Sequence, residues 1–254
     1  MILILIILII ILLVYLLFSN NKMENMGNYM NGSDLYMYLI EDKDNYYKNF
    51  SEKDLKVRNV KNIEEYHNNI KEACCDIDDN IANILSKCII KANNKLRKYN
   101  SIGFDGNKCA DIPWNVGIIK DKLYEEGYPH TRNNIIIIPL HLTKHSNQLT
   151  NTLIHEKIHV YQKTYPEDIN KYLEANGFTK YKLRKDINNI GIYTRANPDM
   201  DEWIYKNKDN EIMMAEYYEN PKSIMDVNIK PTNNSSYEHP FEYMAYNITS
   251  NINQ

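Results

Sequence analysis

Two histidines and a glutamate lie within five consecutive residues of the chain. Residues 153–162 read Leu-Ile-His-Glu-Lys-Ile-His-Val-Tyr-Gln, in which His155, Glu156 and His159 form the pattern His-Glu-x-x-His. Side chains four residues apart lie on one face of a helix, so the two imidazoles can reach the same metal ion. Glu156 then points toward a water beside that ion. The pattern predicts a Zn²⁺ site with a general base next to it.

The residues around this pattern predict a helix that follows a strand. Ser146 or Asn147 can cap the helix, which is expected to run to about Lys163. Its inward apolar residues are Leu149, Leu153, Ile154, Ile158 and Tyr161. Ile135 to Ile138, ended by Pro139, predict a strand. In zinc peptidases a strand just before the metal-binding helix often forms the edge on which an extended substrate is laid. An ordinary buried strand is the alternative.

A third protein ligand must come from elsewhere, because catalytic zinc usually takes three and keeps a position for water. The leading candidate is Glu242, since Pro240 suits the first turn of a helix and Ala245 leaves room for close packing on the same face. A solvated glutamate in that first turn is the alternative. The other candidate ligands are Glu238, His239, Glu216 and Glu211. If Glu242 is the ligand, its carboxylate should lie within roughly 2 to 3 Å of a point shared by both imidazoles.

With these two segments the chain resembles the zincin metallopeptidases, and among them the gluzincins, whose third ligand is a glutamate on a downstream helix. Gln162, three residues after His159, and the later His-Pro-Phe-Glu-x-x-Ala segment are also similar to predicted metallopeptidases of bacteria and large DNA viruses. The absence of Gly-x-x-His after His159 argues against the metzincin arrangement. The chain departs from well-studied gluzincins in the long spacing to Glu242 and in Tyr246, where an acid would normally orient a ligand histidine.

The resemblance implies that His155, His159 and Glu242 hold zinc and that Glu156 activates a zinc-bound water to hydrolyse peptide bonds in a protein or peptide substrate. A donor to the oxyanion is also implied. The candidates for that donor are Tyr237, Tyr243, His130 and His145. Two alternatives stay open. One is a zincin-fold structural or interaction protein without turnover, and the other is a zinc amidase that acts on a non-protein amide.

The N-terminal 55 residues predict an anchor and a linker. Residues 2–18 are apolar and uncharged over roughly 25 Å of helix. They predict a transmembrane anchor over residues 1–18 and a single-pass membrane location, or a secreted protein if the segment is cleaved. Residues 19–55 are rich in Asn, Asp, Lys and Tyr and predict a linker with weak local structure. Residues 56–254 are then one zincin-like metallopeptidase domain.

The predicted fold class is α+β: a long N-terminal helix, a small sheet, the His-Glu-x-x-His helix and a C-terminal helix, preceded by the membrane helix. Apolar residues spaced by three and four predict the long helix from Ile63 to about Tyr99. The other predicted elements are a helix over 166–176, a hairpin over 203–217, a loop over 228–237 and a helix over 239–251. Cys74, Cys75, Cys88 and Cys109 lack the spacing of a metal site and are interpreted as core thiols or disulfides. A net charge of −3 with scattered Lys and Arg argues against a nucleic-acid partner.

Overall fold

A computed structural model describes residues 27–120, 122–232 and 237–253, which form a mixed α+β fold. The helices are α1 (Gly32–Ile40), α2 (Glu52–Val57), α3 (Ile63–Ala73), α4 (Asp79–Leu96), α5 (Gly106–Asp111), α6 (Ser146–Thr164), α7 (Pro166–Ala175), α8 (Arg184–Asn188) and α9 (Pro240–Ile252). The strands are β1 (Asn28–Tyr29), β2 (Cys74–Cys75), β3 (Asn100–Ser101), β4 (Phe104–Asp105), β5 (Asn115–Ile119), β6 (His130–Arg132), β7 (Ile135–Pro139), β8 (Thr179–Leu183), β9 (Trp203–Lys206), β10 (Ile212–Tyr217) and β11 (Val227–Lys230).

Two larger sheets and one short hairpin organise these strands. The first sheet has the order β1-β5-β7-β6, with β2 antiparallel beside β5. Its central strands β5 and β7 are parallel, and β6 runs antiparallel to β7 at the edge. The second sheet is antiparallel in the order β11-β10-β9-β8. The strand β7 is therefore interior to its sheet, and the edge that the sequence suggested for it belongs to β6.

The first sheet divides the core into two layers, one on each face of β7. Successive side chains of a strand point to opposite faces. Ile136 and Ile138 accordingly pack with α4, α6 and α9, whereas Ile135 and Ile137 pack with α1 and α3. All of the inward residues expected on the His-Glu-x-x-His helix are fully buried: Leu149, Leu153, Ile154, Ile158 and Tyr161. Burial of this stripe fixes α6 against one face of the sheet.

Several predicted elements are confirmed. The Ile135–Ile138 strand is β7, the His-Glu-x-x-His helix is α6, and the 166–176 helix is α7, which ends before Gly177 in the left-handed conformation (φ +71°). The 203–217 hairpin is β9 and β10, and the last helix is α9. The predicted cap of α6 is wrong, because the helix begins at Ser146 itself and no side chain caps it.

The single long helix predicted from Ile63 to Tyr99 is wrong. The chain leaves α3 after Ala73, pairs briefly with β5 as β2, and starts α4 at Asp79. Asp78 caps α4 by accepting a hydrogen bond from the Ile81 amide (2.7 Å). Asp76 accepts one from the Gly32 amide (2.8 Å), which ties the break to α1. The apolar period continues across the break, although α3 packs in the layer with Ile135 and Ile137 and α4 in the layer with Ile136 and Ile138.

The predictions of a linker over 19–55 and of a loop over 228–237 are also wrong in part. Part of the 19–55 range is folded, since α1 buries Leu35 and Leu39 completely against the first sheet. The predicted loop over 228–237 begins inside β11, which pairs with β10. The four cysteines are free thiols, so the disulfide alternative is not realised in the described chain.

The predicted membrane anchor over residues 1–18 lies outside the described residues. Within the described ranges, no helix combines the length and the apolar character needed to cross a bilayer. The predicted fold class, with its preceding membrane helix, and the predicted single-pass membrane location are corrected accordingly. The described residues form an α+β fold and contain no membrane-spanning helix.

Candidate metal site

Helix α6 presents two imidazoles to one point. The Nε2 atoms of His155 and His159 lie 3.1 Å apart, as expected for side chains one turn apart on the same face. His159 is fully buried, and the side chain of His155 is 16% exposed. Two ring nitrogens at this distance are close enough to bind the same metal ion.

Helix α9 brings the carboxylate of Glu242 to the same point. Glu242 Oε2 lies 3.6 Å from His155 Nε2 and 3.8 Å from His159 Nε2. A point equidistant from these three atoms lies about 2 Å from each of them, which is the length of a bond from a first-row metal to nitrogen or oxygen. The expected position of Glu242 is confirmed, and the three residues form a possible metal-binding triad.

The orientation of His159 is set by Gln162 on the next turn of α6. Gln162 Nε2 donates to the main-chain oxygen of Phe241 (2.9 Å), which turns Gln162 Oε1 toward His159 Nδ1 (2.8 Å). Since Oε1 can only accept, Nδ1 carries the hydrogen and Nε2 keeps its lone pair for the triad. Burial lowers the pKa of His159 to about 3, so the ring is in its neutral, metal-binding form near pH 7. Gln162 thus fixes the orientation and the tautomer of His159, one residue of the possible triad, while the ring of Tyr246 packs against His155.

The orientation of Glu242 is set by Asn197, which lies in the loop between α8 and β9. Asn197 Nδ2 donates to Glu242 Oε1 (2.9 Å) and leaves Oε2 toward the imidazoles. The same amide donates to Glu238 (2.9 Å), which is also paired with Arg195. Asn197 could not be chosen from the sequence, because an Asn-Pro pair is by itself only a turn signal.

The other candidate ligands have different partners. Glu238 is held by Arg195 and Asn197. His239 caps α9 by accepting from the Phe241 amide (3.1 Å), and its Nε2 donates to Asp201 (3.1 Å). Glu216 pairs with Lys230 across the second sheet (2.6 Å), and Glu211 accepts from Asn207 in the β9–β10 turn (2.8 Å). Glu242 is the carboxylate that the fold brings to the histidines.

No protein-family model, curated protein or solved structure matches the chain. The likeness to zincins therefore rests on the residues of this site and on their geometry.

The predicted base, Glu156, is buried next to the triad. Thr131 on β6 donates its hydroxyl to Glu156 Oε2 (3.0 Å) and its amide to Asp199 Oδ1 (2.6 Å), so one threonine holds both carboxylates. Burial raises the pKa of Glu156 well above its usual value, and the charges of Asp199 and Glu242 act in the same direction. Burial likewise raises the pKa of Asp199 to about 7. Of these two neighbouring carboxyl groups, Asp199 can take up a proton near neutral pH.

A cavity of about 680 Å³ opens beside the triad. Its lining includes the possible ligands His155 and Glu242, together with Glu156 and Asp199. Among the residues predicted as oxyanion donors, Tyr237 and His130 line this cavity, whereas Tyr243 lines a neighbouring one and His145 lies exposed at the start of α6.

The structure narrows the choice of oxyanion donor further. His130 Nδ1 donates to the main-chain oxygen of Tyr128 (2.9 Å), so the neutral ring has no hydrogen on Nε2. Burial lowers the pKa of His130 to about 4, which keeps the ring neutral at pH 7 and unsuited to donate into the cavity. Tyr246 was not among the predicted donors, yet it lines the cavity with its ring 4.6 Å from that of His155. Tyr237 and Tyr246 are two tyrosine hydroxyl donors in the lining of this cavity.

Replacing Gln162 tests the outer hydrogen bonds of the triad. We expect Gln162→Ala to weaken metal binding about 10- to 100-fold, because His159 loses the acceptor that fixes its tautomer. Gln162→Glu keeps an acceptor for Nδ1 and is expected to bind metal more tightly than Gln162→Ala. The dissociation constants are measured by competition with a chromophoric chelator. Gln148→Ala, an exposed glutamine on the same helix, is the matched control. Equal metal affinity of Gln162→Ala and the wild type contradicts the assigned role.

Proposed function

We propose that the protein is a zinc-dependent peptidase. The observation that carries the proposal is the convergence of His155, His159 and Glu242 on one point beside a cavity that Glu156 also lines. Two imidazole nitrogens and one carboxylate oxygen are a ligand set of catalytic zinc, which keeps a position open for water or substrate. Structural zinc sites are usually closed by a fourth protein ligand, and no fourth His, Cys, Asp or Glu joins the triad among the described residues.

When bound, zinc polarises the carbonyl of the scissile amide and makes a water molecule easier to deprotonate. Glu156 accepts the proton from the attacking water and passes it to the nitrogen of the leaving amine. Thr131 holds one oxygen of Glu156 during this exchange, so the carboxylate keeps one orientation. Tyr246 or Tyr237 donates a hydrogen bond to the developing oxyanion. The surrounding burial limits competing water and strengthens these interactions.

A cleavage assay tests this function. The metal-free full chain, the chain with one equivalent of zinc, and the same sample after chelation are incubated with a mixed-sequence peptide library and with peptidoglycan fragments. We expect peptide products only in the zinc sample, and their loss on chelation and return on readdition of zinc. Cleavage of the peptidoglycan amides alone favours the amidase, and zinc binding without any product favours a metal-binding protein without turnover.

A further inference from the structure

The edge of the first sheet beside the cavity is closed to strand addition. A peptide that joins an edge strand needs the free N–H and C=O groups along that edge. Thr131 on β6 donates its amide to Asp199 (2.6 Å), and its carbonyl accepts from Lys163 Nζ (2.8 Å). Pro129, just before β6, has no amide hydrogen to offer. A bound peptide therefore finds the main-chain groups of Thr131 already engaged.

The closure of this edge is part of the packing of the site. Lys163 Nζ donates a second hydrogen bond to the main-chain oxygen of Pro198 (2.7 Å), which joins α6, β6 and the loop that carries Asn197. Opening the edge to a peptide would release the buried Asp199 and the partly buried Lys163 from Thr131. Affinity for a substrate must come from another part of the cavity.

One wall of the cavity is apolar and reaches solvent. The segment before and within β11 contributes Ile224, Met225 and Ile229 to this wall. Met225 is 48% exposed, and the aromatic rim residues Tyr128 and Tyr246 are 46% and 51% exposed. Large apolar side chains that stay exposed together at the mouth of a cavity are typical of a binding surface.

Two acidic groups of the lining are paired with arginines, and Glu126 beside the wall accepts from Ser223 (2.7 Å) and from the amide of Ile224 (3.2 Å). Glu125 lines the cavity but is paired with Arg58 (2.7 Å), and Glu238 is paired with Arg195. The bound metal would neutralise Glu242. An apolar side chain gains by entering such a wall, whereas a charged one loses its hydration, and Arg195, the cation that contacts Met225, is already paired with Glu238.

We propose that the substrate is a peptide with a bulky apolar side chain next to the scissile bond, seated against Ile224, Met225 and Ile229 and bound without strand addition to β6. The proposal rests on the proposed peptidase function, since it names the substrate class of that same site. It is separable from that function, because binding of the side chain can be measured without turnover.

Peptide hydroxamates that differ in the one side chain next to the hydroxamate test the proposal. Binding of Leu, Phe, Gly and Asp versions to the zinc-loaded Glu156→Gln protein is measured by titration calorimetry. We expect the Leu and Phe compounds to bind about 10- to 100-fold more tightly than the Gly and Asp compounds, as for burial of a large apolar side chain. Equal affinities, or no binding by any member, overturn the proposal.

Variants of Met225 test whether the apolar side chain of the hydroxamate binds against this wall. Met225→Ser is expected to reduce the ratio of Leu to Gly affinities several-fold, whereas Met225→Leu, which keeps an apolar wall, is expected to preserve it. This pair separates wall contact from a structural role, because both variants lose the contact of Met225 Sδ with Arg195 (2.9 Å). Met37→Ser, at an equally exposed methionine on α1, is the control. An unchanged ratio in Met225→Ser overturns the assigned wall. If the Leu and Phe compounds still bind more tightly than the Gly and Asp compounds but the wild type cleaves no peptide, the proposed peptidase function alone is wrong.

Discussion

One zinc ion is expected to bind each metal-free chain, and His155→Ala, His159→Ala and Glu242→Ala are each expected to weaken that binding by more than about 100-fold. The lower bound follows because loss of an outer hydrogen bond to a ligand already costs about 10- to 100-fold, and these variants remove the ligand itself. Metal content is measured by mass spectrometry of dialysed protein, and affinity by chelator competition. Zinc is also expected to raise the melting temperature of the wild type, since it binds the folded chain.

The three ligand variants differ in how safely they can be interpreted. His159 is fully buried, so its replacement also leaves a cavity, whereas His155 and Glu242 keep some solvent exposure at 16% and 12% of their side chains. Circular dichroism of the metal-free variants separates unfolding from loss of a donor. Glu216→Ala, which breaks a pair on the second sheet, is the control and should keep full zinc affinity. Zinc bound by Glu242→Ala as tightly as by the wild type would show that another group completes the site.

Glu156→Gln is expected to keep zinc and to lose hydrolysis by about 10²- to 10⁴-fold, the usual contribution of a general base. Glutamine has nearly the same shape, and its amide oxygen can still accept the hydroxyl of Thr131, so the packing around β6 should be preserved. It cannot accept a proton from water. Initial cleavage rates at saturating zinc, with zinc content measured in the same samples, give both results.

A second Glu-to-Gln change controls for the loss of charge. Glu167 is exposed in the first turn of α7 and lies outside the cavity lining, so Glu167→Gln should cleave at the wild-type rate. An unchanged rate in Glu156→Gln removes Glu156 as the base. Loss of zinc from Glu156→Gln would mean instead that this carboxylate binds the metal.

The local geometry of the site could be read from consecutive residues. A helix places residues i and i+4 on one face, so the spacing of His155 and His159 was enough to predict their shared ligand position. The buried stripe that begins at Leu149 and the apolar run of β7 were predictable for the same reason, because their periods match those of a helix and a strand. The prediction of one long helix from Ile63 to Tyr99 failed because a helix-capping residue lies within the apolar period. Asp78 starts a new helix in the middle of a pattern that continues on both sides.

The third ligand and its supports depend on contacts between distant parts of the chain. Glu242, Glu238 and His239 all lie near the start of α9, and only packing of that helix against α6 decides that Glu242 faces the histidines. Asn197 and Thr131 come from a loop and an edge strand with no pattern that marks them. The His-Glu-x-x-His pair was determined by the sequence because its geometry is local to one helix. The complete triad, the contacts of Asn197 with Glu242 and of Gln162 with Phe241, and the closed edge of β6 were decided by the tertiary structure, because each requires atoms far apart in the chain to meet within about 4 Å.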